Sequence, residues 1–130
     1  MLLVVGSSLV AGCGGPEGER AAPEYGLLRE VNDLLHASAG ALGRPPAKLD
    51  DLSRHKGTYP RGYEALQSGA VVVLWGAALQ GEGEVGKGEA VVAYEKAAPS
   101  DGGYVLWSAG TVRKMTAAEF NSAPKAGKKQ

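Results

Sequence analysis

The chain is poor in the residues from which catalytic and redox chemistry is usually built. Its 130 residues include one cysteine, one phenylalanine and two histidines. A single cysteine excludes an intrachain disulfide and any CxxC redox or metal pair. Fourteen basic side chains balance fourteen acidic ones, for a net charge of zero. With no basic stripe to displace counterions, nucleic acid is not an expected partner. No apolar stretch reaches the about 20 residues that a stable membrane-spanning helix needs. Twenty glycines and seven prolines against one Phe mark a loop-rich chain with a modest core and marginal stability.

What is present is concentrated near the N-terminus. Leu2 to Val10 is an unbroken run of apolar and small residues, too short for a bilayer span but suited to a signal-peptide hydrophobic region. It leads into Val10-Ala11-Gly12-Cys13. Gly12, Gly14, Gly15 and Pro16 would break a strand or helix there, and Pro16 to Pro23 reads as a flexible polar tether. Val10-Ala11-Gly12-Cys13 resembles the lipobox of bacterial lipoproteins. The resemblance implies cleavage between Gly12 and Cys13, then acylation of the Cys13 thiol and its new amino group by chains such as palmitate. It leaves no thiolate for catalysis. A secretory leader carries Lys or Arg before its apolar run, yet Met1 is followed directly by Leu2, which points to a start codon a few codons upstream. The expected organisation is a signal peptide over 1–12, a tether over 13–24, one domain over 25–122 and a polar tail over 123–130. Roughly 100 residues of mature chain suffice for one small core.

Within that domain, Leu27, Leu28, Val31, Leu34 and Leu35 recur at spacings of three and four, predicting a helix over 25–39. Arg29, Glu30, Asn32 and Asp33 fall on its other side. Gly40 and Gly43 suit its end, and Pro45-Pro46 forbid continuation. His36 reads as a solvent-edge residue favoured by the helix dipole. Leu49 and Leu52 predict one amphipathic turn, and residues 64–68 another. Strands are predicted over 70–75, 90–94, 104–107 and 111–115 from their β-branched and aromatic content. The loop 80–89 between the first two alternates glycine with charge and reads as exposed. Ser108-Ala109-Gly110 is long enough only for a tight hairpin. Thr116 and Glu119 have the spacing of a capping box, with Phe120 docked inward. One long N-terminal helix followed by a small, mainly antiparallel sheet of about four strands is an α+β fold.

Val92-Ala93-Tyr94-Glu95-Lys96, the break ending Asp101-Gly102-Gly103, and Tyr104 to Val112 together resemble the C-terminal sheet of pseudopilin-like proteins. The resemblance covers about 60 residues, in motifs of moderate specificity because any tight hairpin favours such residues, and it implies the fold. Ala109 stands where that motif carries Asp, and restoring Asp there is expected to be neutral or slightly stabilising through local turn bonds. A lipobox also replaces the long polymerisation helix, so fibre assembly does not carry over.

Candidate chemistry is thin. Glu82, Glu84 and Glu89 match no calcium-loop spacing and read as solvated. Asp50 and Asp51 beside His55 raise acid–base work, but aspartates next to a turn more often cap backbone N–H groups. Ser53 has no nucleophile-elbow setting. The glycine loop lacks both phosphate-binding patterns. Trp75, Tyr94, Tyr104 and Trp107 read as core bulk rather than an aromatic platform. The expectation is a non-enzymatic, lipid-anchored, periplasm-facing envelope protein, with the outer membrane favoured because Gly14, not Asp, follows the cysteine. Its site residues are Gly12 and Cys13 for cleavage and Cys13 for lipidation. Its partners are the membrane, through the anchor, and an envelope protein. No catalytic residue, metal or cofactor is expected. The alternatives are a small envelope hydrolase or sugar-binding protein using Asp50, Asp51 and His55, and a secretion-system pseudopilin with an upstream start.

Overall fold

The computed structural model describes residues 22–126; the signal region, Gly12, Cys13 and the tether through residue 21 lie outside them, as do 127–130. The first helix, α1, runs Pro23–Leu42, longer at both ends than the predicted 25–39. Proline fits the first turn because that turn's N–H groups have no helical partner anyway. Pro23 and Glu24, expected in the tether, are therefore helical. Gly40 stays within the helix, and Gly43 ends it at φ 76 with its N–H on the Ala39 carbonyl at 2.8 Å. Leu28, Val31, Leu34 and Leu35 form the buried stripe.

A 3₁₀-helix over Leu49–His55 replaces the single turn expected there, and α2 spans Pro60–Ser68. Four strands follow: β1 (Val71–Val73), β2 (Val91–Glu95), β3 (Gly103–Trp107) and β4 (Val112–Met115). They form one antiparallel sheet in the order β1-β2-β3-β4. The fold is α+β, as its pattern predicts. A short helix, α3 (Ala98–Asp101), sits in the β2–β3 break, and α4 (Ala117–Ser122) follows the sheet. Its capping box is complete: Thr116 Oγ1 accepts the Glu119 N–H, and Glu119 Oε1 accepts the Thr116 N–H. Phe120 is buried behind it.

The sheet separates two apolar clusters. Helix α1 and Leu52 pack with Val71, Val73, Val92, Leu106 and Val112 in the larger one. Val91, Ala98, Val105, Trp107 and Phe120 make the smaller one. A register shift between Val91 and Ala93 is the irregularity that lets Val92 and Ala93 both join the larger cluster. The aromatics are divided accordingly. Tyr104 and Trp75 pack on the helix side, whereas Trp107 and Tyr94 lie with Phe120 on the other, so Trp75, Tyr94, Tyr104 and Trp107 share no single platform. The start of the expected polar tail is docked as well: the Val91 N–H donates to the Pro124 carbonyl, and the Ala126 N–H to that of Val91.

Candidate functional site at the hairpin end

Strand β3 connects two different ends of the molecule. At its start, Gly103 lies beside Ala22 and Glu24, where the chain enters α1, around a cavity of about 710 Å³. Two of the four carboxylates lining it, Glu95 and Glu119, are engaged by backbone. Glu95 Oε1 accepts the Tyr104 N–H at 2.7 Å, and Glu119 is part of the capping box. About 14 Å further on, at 3.3–3.4 Å per residue, β3 reaches Trp107 and the tight turn.

That turn is a three-residue loop. The Gly110 N–H donates to the Trp107 carbonyl, the Trp107 N–H donates to that of Thr111, and Gly110 sits at φ 95. This is the arrangement in which the last loop residue must be left-handed. Arg29 of α1 donates from Nη1 to the Gly110 carbonyl at 2.7 Å. The polar side of α1 is thus partly docked, with Asp33 left exposed. Glu30 likewise accepts from the Gly62 N–H at 2.9 Å and from Arg61, and Asn32 is buried. The hairpin tip and α2 reach round the helix, which no helical periodicity reveals.

Ser108 ties the tip to the glycine-rich loop. Its N–H donates to the Ala90 carbonyl, its carbonyl accepts the Gln80 N–H, and its hydroxyl accepts the Ala90 N–H and donates to Gln80 Oε1. Two cavities flank this knot. One, about 290 Å³, has Asn32, Asp33, His36 and Gln80 on its walls, with His36 half-buried at its side. The other, about 440 Å³, lies between Glu89, Trp107, Thr111 and Arg113. There the Arg113 guanidinium stands 4.7 Å from the Trp107 ring centroid, a cation–π contact.

Glu89 is not the solvated side chain its composition suggests. Its Oε2 accepts the Gly86 N–H at 2.7 Å, while Oε1 is buried without a partner. Among the described residues, buried side-chain atoms without a hydrogen bond are Asn32 Oδ1, His55 Nε2, Glu89 Oε1 and Trp107 Nε1. All but His55 lie at the hairpin end. An unmet buried polar atom costs about 1–3 kcal/mol, so their concentration marks this end as the candidate site. Sequence reasoning missed Asn32, Ser108 and Trp107 in this role, because only the packing shows which polar atoms are sealed from water.

The Asp50, Asp51 and His55 region has a different character. Asp51 Oδ2 accepts the Ala47 N–H at 2.9 Å and faces Arg44 at 3.2 Å. The backbone N–H first, and Arg44 after it, hold its carboxyl below the usual carboxylate range. Asp51 is thus a turn cap, as expected of an aspartate there. His55 Nε2 is buried without a hydrogen-bond partner, so Asp51 is not paired to that nitrogen. Glu84 is exposed, and no cluster of His, Cys, Asp or Glu able to hold a metal occurs among the described residues. Among those same residues no helix is long and apolar enough to cross a membrane. Comparison with protein families, with curated proteins and with solved structures finds no match to this chain.

Proposed function

We propose that the protein is a lipid-anchored component of the bacterial cell envelope whose α+β domain is a non-enzymatic interaction module. The observation that carries this is one of order along the chain. Val10-Ala11-Gly12-Cys13 is followed by the small and polar residues 14–22, and then by a helix whose first turn is Pro23 and Glu24. Residues 14–22 extend at most about 30 Å, so an acylated Cys13 holds the domain close to the bilayer. The chain enters beside the start of β3, which leaves the hairpin end, with its unmet polar atoms, at the far end of that strand. The commitment of Asp51 to Ala47 and Arg44 favours a binding module over a hydrolase built on Asp51 and His55.

A pseudopilin-like ancestry is supported by one long helix on an antiparallel meander, by Tyr94-Glu95 before the Asp101-Gly102-Gly103 turn, and by the tight 108–110 loop. The test of the main reading is Cys13→Ser in the full chain. The variant is expected to lose labelled palmitate and leave the membrane fraction almost completely, because two or three acyl chains hold firmly where one does not. Unchanged mass and membrane association would refute the anchor.

A further inference from the structure

The cavity between Glu89, Trp107, Thr111 and Arg113 is lined by two residues that each carry an unmet group sealed beneath its surface. Trp107 is 7% exposed, and its Nε1–H is a donor without an acceptor. Glu89 Oε1 is an acceptor without a donor. Both residues line the same cavity, and each unmet atom is costly as it stands. The occupant's chemistry follows from satisfying both. A metal ion gives the indole N–H nothing to bond to, and a simple anion meets the Glu89 carboxylate. An apolar group leaves both atoms unmet. A hydroxyl group both donates and accepts, and neighbouring hydroxyls on one ring can serve the two atoms together. Thr111 and Arg113 add further polar contacts at the rim. A peptide amide also donates and accepts, but peptide recognition ordinarily adds pockets for side chains, and the polar residues here supply none.

We infer that this cavity is a binding site for a saccharide, with one sugar ring donating a hydroxyl to Glu89 Oε1 and accepting from Trp107 Nε1. Both atoms lie beneath the surface, and the segment over them, 85–88, is exposed. It is held by Glu89 Oε2 on the Gly86 N–H and by Gln80 Nε2 donating to the Lys87 carbonyl. Access to them requires that segment to swing out. The inference rests on the envelope reading only in the choice of sugar.

The test is a titration of the full chain in detergent, followed through the two tryptophan indole N–H signals by NMR, with Trp107→Phe assigning them. The probes are the N-acetylglucosamine–N-acetylmuramic acid disaccharide of peptidoglycan, a core oligosaccharide from lipopolysaccharide, and an acetylated glycine tripeptide. One of the two sugars is expected to shift the Trp107 signal and leave that of Trp75 in place, and which one does so identifies the source. Trp107→Phe and Glu89→Gln are each expected to weaken that binding about tenfold, the effect of one buried hydrogen bond. A Trp107 signal unmoved by either sugar at about 10 mM, or moved only by the tripeptide, overturns the inference. So does undiminished affinity in Glu89→Gln, which leaves the ring packing intact. Because Cys13→Ser leaves the cavity unchanged, its failure to release the protein would count against the anchor alone.

Discussion

Gly102 is the residue at which substitution should be felt most for its size. It lies between α3 and β3 with φ 82 and ψ 166, a region of backbone space that is essentially restricted to glycine. A Cβ there would stand 2.7 Å from the Met115 carbonyl oxygen and 3.2 Å from Thr116 Cα. Both neighbours are backbone atoms at the β4–α4 junction, which the capping box holds in place, so neither can yield cheaply. The dihedral alone costs an alanine about 1–3 kcal/mol, and relieving the overlap adds a comparable amount. Lower entropy of the unfolded chain returns about 0.4–1 kcal/mol. The net loss expected for Gly102→Ala is about 3 kcal/mol, a large part of the total for a small domain. The matched control is Gly86→Ala. Gly86 has φ 83, yet a Cβ there meets nothing within 4 Å, so only the dihedral counts and about 1 kcal/mol is lost. With a urea slope of about 1–1.5 kcal/mol/M for a chain of this size, the Gly102 variant should unfold roughly 2 M earlier and the Gly86 variant less than 1 M earlier. Equal midpoints for the two would show that the overlap is relieved at no cost, and the packing argument at the β4–α4 junction would fail.

Leu34, fully buried on α1, should lose about 2–5 kcal/mol on truncation to Ala, read from the same urea midpoints; a loss under 1 kcal/mol would place it outside the core. The low Asp51 carboxyl makes a pH prediction whose sign is fixed. A depressed folded value adds stability above the ordinary carboxylate value of about 4 and loses it as pH falls through the depressed one. The wild type should therefore be more stable than Asp51→Asn near neutrality, and the gap should close as pH falls below about 4; a gap that stays constant would refute the capping role. Ala109→Asp, expected from turn preferences alone to be harmless, should instead destabilise by about 1–3 kcal/mol. Ala109 is 3% exposed and shares its cavity wall with Asp33, so neutral urea midpoints for this variant would show that the carboxylate escapes to water.

The Ala109 case shows where sequence patterns stop. Element types depend on spacing and local chemistry, and these are visible in one dimension. The Leu28–Leu35 stripe, the β-branched strands, the Thr116–Glu119 box and the left-handed Gly110 all followed from a few neighbouring residues. The predicted strand 70–75 is shortened to Val71–Val73 because a turn through Gly76, at φ 83, takes the chain out of the sheet. Helix α1 outran its predicted end because an exposed Gly40 costs only about 1 kcal/mol against Ala, too little to stop a helix whose next turn is otherwise sound. The candidate site was illegible for a different reason. Asn32, Glu89 and Trp107 come from a helix, a loop and a strand, and what distinguishes them is lost access to water, a property of the assembled hairpin end. Glu89 reads as a solvated loop carboxylate by every local rule, yet in the folded chain Ser108 ties the loop's two ends, Gln80 and Ala90, to the hairpin and one Glu89 oxygen is sealed from water. Helix periodicity likewise assigns Arg29 to solvent, while the folded chain uses it to hold the Gly110 carbonyl. Polar residues that pair across distant segments carry no periodic signal, so in this chain the scaffold is local information and the site is not.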